Sequence, residues 1–410
     1  MKLENFRIEQ TAQLTKAVAT VIWETSDRQN ADIYFGTPKE FTQDINCDPH
    51  AFLVACVMPA MRFGEERIYI DAEICPELKE GLETVVTWMK NWYGGNRQPV
   101  RIEAKPLEKR PNPETPERAG FFFSGGVDSL STLRNNRLRF PKTHPGYIKD
   151  GFMIYGIEGY ESSEAEEQLE AFNLHLQAID NVARAADIEL IPVYTNIKSL
   201  EEDWEFWRNE FQGAALAAVG HVFAKRVTKV SIGSTFDIAS LEPWGSHPVI
   251  DLNFSSSYLH IHHDGVAMSR LDKVKLISNW QVALDNVKVC FTNSPKQLNC
   301  GVCEKCIRTR TALLALGKLD KASAFKQEDI DEGLLSRRAH IDDAYVESCY
   351  VELIDPLIAQ GREDLVKGIK TAVDRYHERD IRGLIKKVDK RLLGGHLLAW
   401  KQKRSARHSS

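Results

Sequence analysis

Between Gly120 and Gly233 short apolar runs alternate with long amphipathic segments, and that alternation leaves few folds open to the chain. Gly120 to Phe123 reads as a strand, Ser129 to Phe140 as a helix and Phe152 to Ile157 as a strand. Ala165 to Ala186 reads as a long helix with Leu169, Phe172, Leu176, Ile179 and Val182 on one face. Leu190 to Tyr194, Trp204 to Arg226 and Lys229 to Gly233 repeat the pattern as strand, helix and strand. Parallel neighbours need long crossovers, which helices supply, so the segment predicts an α/β fold with a doubly wound, mostly parallel sheet. Ligands of such sheets sit beyond the carboxyl ends of the strands.

The flanks read differently. Residues 1–105 mix β-like runs (Val18 to Trp23, Arg67 to Ile70, Val100 to Ala104) with an amphipathic helix from Pro76 to Tyr93, which predicts a small N-terminal α+β domain. Pro106, Pro111, Pro113 and Pro116 make 106–118 a linker, and the α/β core is expected over 119–316. Inside it, Asp264-Gly265 between two strand-like runs from Tyr258 to Met268 predicts a hairpin. Beyond Leu316 the chain, 317–410, reads as helical with a basic tail.

Composition excludes several classes. With 43% hydrophobic and 27% charged residues in 410, the chain is expected to be globular rather than disordered. Its longest apolar stretches, Ala51 to Met61 and Gly213 to Ala224, fall short of the ~18 residues a membrane span needs, so no membrane partner is expected. Charge near the start argues against a secretory signal, so a cytoplasmic protein with reduced thiols is expected. A net charge of −5 announces no nucleic-acid partner for the whole chain. Ile381 to Ser410 differs, carrying nine basic residues against Asp389 alone, a local charge of +8. That tail has only Trp400 as an aromatic, so it reads as solvated rather than as a nucleic-acid stacking surface.

The sharpest chemical signal is Phe121-Phe122-Phe123-Ser124-Gly125-Gly126-Val127-Asp128-Ser129-Leu130, an apolar strand passing through two glycines straight into a helix. Glycines let the backbone approach an anion, and a helix start offers unpaired N–H groups and a positive dipole end. The spacing is neither a Walker loop nor a dinucleotide loop. Asp128 makes sense as a Mg²⁺ contact or an organiser of the loop amides, against the plainer reading in which Asp128 and Ser129 only cap the helix. The string resembles the pyrophosphate loop of the PP-loop ATP pyrophosphatase superfamily (adenine nucleotide alpha hydrolase-like, a HUP-like fold). Its members adenylate a carbonyl oxygen, release pyrophosphate and let a nitrogen or sulfur nucleophile displace AMP. The resemblance implies ATP and Mg²⁺, with Ser124, Gly125, Gly126, Val127, Asp128 and Ser129 around the β and γ phosphates and adenine near Tyr155 to Ile157.

Cys290, Cys300, Cys303 and Cys306 form C-x9-C-x2-C-x2-C, while Cys47, Cys56, Cys75 and Cys349 are scattered and read as small buried hydrophobes. Two overlapping C-x2-C steps gather three thiolates, and Cys290, arriving from a preceding strand, closes a tetrahedral set. Zinc is the first reading, with an iron–sulfur cluster and unliganded thiols as alternatives. Asn299-Cys300-Gly301-Val302-Cys303-Glu304-Lys305-Cys306 followed by Arg308 resembles the zinc motif of the 7-cyano-7-deazaguanine synthase family, over about Gly120 to Leu316. That family turns a deazaguanine carboxylate into a nitrile with ammonia and ATP. The added segments on both sides of the core suggest a different or larger acceptor, and relatives in bacterial defence systems act on a protein.

Arg270 and Lys273 open a helix after the expected hairpin, where cations face a triphosphate unless they are merely solvated. Ser234, Thr235 and Asp237 end the fourth core strand, within reach of an α-phosphate or acceptor. His247 is a candidate proton shuttle; His260 and His262 share a strand face opposite His263 and read as surface; Trp204 and Trp207 read as core. The leading function is an ATP-dependent enzyme that adenylates a carboxylate or amide, using Asp128, Arg270 and Lys273, and passes it to a nitrogen nucleophile on a small-molecule or protein acceptor. The competing readings are a tRNA-modifying enzyme and a nucleic-acid-binding zinc module in which the loop is vestigial.

Overall fold

The structure, a computed structural model, describes residues 1–95, 97–108, 117–157, 164–325 and 329–392. Its strands are β1 (Lys2–Gln10), β2 (Leu14–Ile22), β3 (Ala31–Pro38), β4 (Arg67–Ile74), β5 (Arg101–Pro106), β6 (Ala119–Phe122), β7 (Ile148–Tyr155), β8 (Glu189–Thr195), β9 (Lys229–Gly233) and β10 (His260–Asp264). All ten join one sheet in the order β10-β9-β6-β7-β8-β3-β2-β1-β4-β5. From β10 to β8 every neighbour is parallel; β8–β3, β3–β2 and β2–β1 are antiparallel, and β1–β4 and β4–β5 are parallel again. The protein is therefore α/β with a large, mostly parallel sheet. Strand order reverses at β6, which pairs β7 on one side and β9 on the other.

The segment expected to be a separate N-terminal domain shares this sheet, because Phe35 and Gly36 of β3 pair Thr195 and Tyr194 of β8. The described residues of Met1–Cys300 with Lys321–Phe325 form one compact unit, and those of Gly301–Asp320 with Lys326–Ser410 form a second. In the second unit, helices Glu304–Ala315, Glu332–Arg338, Ala344–Val351, Ile354–Ala359 and Glu363–Leu392 bury Leu313, Leu335, Tyr350, Leu357, Leu365 and Ile369. Most of the linker (109–116) and the end of the basic tail (393–410) lie outside the described residues.

Local chemistry accounts for the elements around the sheet. The Pro49–Arg62 helix starts on a proline, whose missing N–H costs nothing there, and Asp48 caps it by accepting from His50 N at 3.0 Å. Every residue from His50 to Met61 is buried, so the apolar run Ala51 to Met61 is a core helix. It packs on Gln212–Val222, a helix with two glycines and four alanines, ten of whose eleven residues are buried. Among the described residues no helix is long and apolar enough to cross a membrane.

At the amino ends of the strands, Asp150 of β7 is fully buried and held by two arginines. Arg118 donates to it from Nε and from NH2, the latter at 2.6 Å, and Arg226 donates from NH2 at 2.8 Å. Arg226 also reaches Asp44 at 2.7 Å and bonds Glu189 of β8.

Three sequence expectations need correction. Asp264-Gly265 makes no hairpin: Gly265 turns at φ +92°, Ser234 N and Ile238 N donate to Asp264 O and Val266 O at 2.7 and 2.8 Å, and the chain enters helix Arg270–Ile277. These bonds tie the segment to the exit of β9, so no return strand forms beside it. On Ala165–Ala186 the buried face runs through Phe172, His175, Ile179 and Val182, while Leu169 is exposed. The helix expected from Trp204 to Arg226 ends at Val222 and contains a π-helical stretch, Trp207–Phe211, that buries Trp207 and leaves Trp204 half-exposed.

Candidate functional site

The glycine loop leaves β6 at the point where strand order reverses, the usual place for a ligand in an open α/β sheet. Gly125 has φ +65°, and a Cβ there would come 3.1 Å from Ile179 Cγ1 and 3.3 Å from His175 Nε2, so both conformation and space require glycine. Gly126 occupies the cap position of the Val127–Arg139 helix, and no side chain caps that helix. Ser129 Oγ turns back to Gly126 O at 3.1 Å and lies 3.4 Å from Ser124 Oγ. An uncapped helix start beside two glycines is a concentration of N–H donors and positive dipole, which is what a phosphate needs. Asp128 is thus not the cap that the plainer reading would make it.

Two residues overlooked in the sequence hold the loop. His175 Nε2–H donates to Ser124 O at 2.8 Å. Burial first, and then the charge of Lys288, lowers its pKa to about 3, so it is neutral. On the other flank Lys288 N donates to Gly125 O at 2.9 Å. The signal for His175 was its place on the buried face one turn after Phe172; for Lys288 there was none. Buried His221 is likewise lowered, to about 4. Both values lie below the ordinary 6.5, so the unfolded chain takes up protons that the folded chain refuses. Their contribution to stability is intact above pH ~6.5 and falls as the pH drops toward 4, by about 1 kcal/mol per unit for each histidine. In urea titrations at pH 7 and 4.5, His175→Gln, which keeps a donor for Ser124, should lose less stability on acidification than the parent; an equal loss would contradict the assignment.

Asp128 gathers the expected cations. Arg270 NH1 lies 3.1 and 3.2 Å from its two carboxylate oxygens, and Lys273 Nζ lies 3.4 Å away. Ser269 starts their helix with a capping box to Asp272, which fixes Arg270 in the first turn. Lys273, only 1% exposed, also donates to Ser234 O at 2.6 Å and to Thr235 O at 3.4 Å, tying the exit of β9 to the loop after β6. Gly233 makes that approach feasible, since a Cβ there would sit 3.1 Å from the Asp128 carbonyl carbon. Ser124 to Ser129, Ser234, Thr235, Arg270 and Lys273 therefore form one cluster at the carboxyl ends of β6 and β9. Tyr155 ends β7, the next strand, with its ring on Phe172 and Tyr194 at 5.1 and 5.8 Å between centroids.

The other polar candidates have local roles. Asp237 caps a short 3-10 turn by accepting from Ser240 N at 2.9 Å. His247 Nδ1 accepts from Val249 N at 3.2 Å and its ring packs on Trp92, so it is a helix cap rather than a free shuttle. His263 Nδ1 lies 2.7 Å from buried Asp251, and His262 lies 3.7 Å from Asp264. A cavity of about 1250 Å³ opens at the amino ends of β9 and β10 and shares no residue with the loop cluster. At its edge Asp48, His50 and Tyr258 satisfy one another, with Tyr258 OH 2.8 Å from His50 Nδ1 and 3.1 Å from Asp48 Oδ2.

The thiols of Cys290, Cys300, Cys303 and Cys306 lie within 4.8 Å of one another, and they are the only such group of potential ligands among the described residues. Sulfurs around tetrahedral zinc at ~2.3 Å stand roughly 3.8 Å apart, so the set fits a metal such as zinc. Cys303 starts helix Glu304–Ala315, which puts Cys306 in its first turn. Cys290 comes from an extended loop rather than the expected strand. Cys56, Cys75 and Cys349 are buried, and Cys47 is partly buried.

No protein-family model, curated protein or solved structure matches the chain.

Proposed function

We propose that the chain is an ATP-dependent enzyme of the PP-loop type that adenylates a carboxylate or amide carbonyl, releases pyrophosphate and transfers the activated group to a nitrogen nucleophile. The observation that carries this reading is the uncapped glycine turn at the reversal of strand order, with Arg270 and Lys273 drawn to Asp128 at its helix start. Loop amides of Gly125 to Ser129 and the hydroxyls of Ser124 and Ser129 receive the β and γ phosphates. Tyr155 borders the adenine side, and Ser234 and Thr235 border the α-phosphate. Asp128 is the carboxylate suited to Mg²⁺, which when bound neutralises charge on the leaving pyrophosphate. Arg270 and Lys273 add positive charge where negative charge builds.

The acceptor carbonyl oxygen attacks the α-phosphorus, the bond to the β-bridging oxygen breaks, and pyrophosphate leaves with the electron pair. The nitrogen lone pair then adds to the activated carbon, AMP departs, and the nitrogen's proton goes to solvent. The acceptor is a small molecule or a protein. Methylene analogues of ATP test the bond assignment: the β,γ-methylene analogue should still be cleaved, releasing methylenediphosphonate, and the α,β-methylene analogue should bind without turnover. Cleavage of the α,β-methylene analogue to orthophosphate would overturn the reading.

The four thiolates hold zinc in this account. Elemental analysis should find about one zinc per chain, and Cys303→Ser should lower that content, as expected for a closed four-ligand site. Stoichiometric iron with visible charge-transfer absorption would replace zinc with an iron–sulfur cluster.

A further inference from the structure

The cysteine segment and the phosphate loop are not independent. Lys288, whose backbone N–H holds Gly125 O at 2.9 Å, stands two residues before Cys290. Its Nζ donates to Cys290 O at 3.1 Å and to Asn293 Oδ1. A Cβ on Gly126 would lie 3.6 Å from Lys288 O, so this segment runs against the loop.

Asn299, beside Cys300 and 3% exposed, fastens the same segment. Its Oδ1 accepts from Val289 N at 2.9 Å and Cys290 N at 3.3 Å, while its Nδ2 donates to Val287 O at 2.8 Å and Ala324 O at 3.0 Å. Two donors and two lone pairs are all that a carboxamide has, so its orientation is fully determined. Cys300 in turn sets where Asn299 stands, and Cys290 sets where the strut ends.

We propose that Asn299 and residues 287–290 form a strut through which the occupied four-thiolate centre positions the phosphate loop, with Asn299 as the positioning residue. The two sites then share a coupling free energy, and coupling is reciprocal: metal orders the loop, and an anion in the loop retains the metal. Only this second arm rests on the phosphate-loop reading of the function.

Hydrogen exchange of the full chain, zinc-loaded and after chelation, tests the first arm without any nucleotide. Stripping zinc should speed exchange of the Ser124 to Leu130 amides at least about fivefold, the lower end of ordinary couplings, while β1 to β3 stay unchanged. Asn299→Ala, with zinc content checked, should show the fast loop while still loaded. Changes confined to 287–306 would overturn the proposal, and so would acceleration throughout the sheet, which would make the metal a general stabiliser. If the variant does not fold, the loaded and stripped parent decides alone. For the second arm, inorganic pyrophosphate should slow zinc transfer to a chromogenic chelator severalfold. Failure there with a coupled loop would count against phosphate binding and leave the strut standing.

Discussion

Asp128→Asn should cut pyrophosphate release from ATP by about 100- to 1,000-fold while the protein melts within a few degrees of the parent, the scale expected when one charge-organising group leaves a preorganised site. Asparagine keeps the shape and an oxygen for Arg270 NH1, which lies 3.1 Å from Oδ1, and for Lys273 Nζ at 3.4 Å, but it removes the negative charge. Alanine is the poorer probe. If Asp128 were only a cap, its loss would cost about 1 kcal/mol. Gly126 holds the cap position, however, and Asp128 is the carboxylate that faces a lysine 1% exposed. Alanine takes away the oxygen that Arg270 NH1 and Lys273 Nζ approach as well as the charge, so Asp128→Ala should cost stability as well as activity. Pyrophosphate release by Asp128→Asn at the parent rate would remove the loop from the mechanism.

The largest loss of stability should come from the opposite end of the strands. Asp150→Ala should cost about 3 kcal/mol and lower the melting temperature by several degrees, because it leaves two guanidinium groups without their shared carboxylate. The Asp150 side chain is fully buried and that of Arg226 is 11% exposed, so water compensates little there, while Arg118 at 32% is partly solvated. Asp44 and Glu189 still reach Arg226, which keeps the loss at the lower end of what a stranded buried charge would cause. Thermal melts of Asp150→Ala and of an exposed control, Asp187→Asn, separate the cases. Asp187 pairs Lys142 with both side chains more than 70% exposed and takes φ +54°, which asparagine tolerates, so removing its charge should change little. Equal melting of the two variants would contradict the account of this network.

The parallel part of the sheet was legible because its strands are buried on both faces and read as apolar runs: all four residues of β6 are buried. The loop was legible because glycine, hydroxyl and helix start are adjacent in the chain. Arg270 and Lys273 could be placed near a phosphate, but their convergence on Asp128 depends on a turn that was misread as a hairpin. What escaped has long-range causes. β1 and β3 carry little periodicity and exist by pairing with β2, β4 and β8, and the junction of β3 with β8 leaves no mark near either strand. His175 and Lys288 act through a ring nitrogen and a backbone N–H on loop carbonyls, contacts that composition does not reveal. His247 looked reactive in isolation; its capping role appears only once Val249 N is seen to point at Nδ1.

Phosphorus-31 NMR of ATP and Mg²⁺ incubated with the purified protein and a carbonyl acceptor fraction tests the central claim most directly. Cleavage between the α and β phosphates predicts AMP and pyrophosphate signals that grow together in equal amounts, with no ADP, and that vanish in Asp128→Asn. Accumulation of ADP with orthophosphate, or products that persist unchanged in the variant, would contradict it.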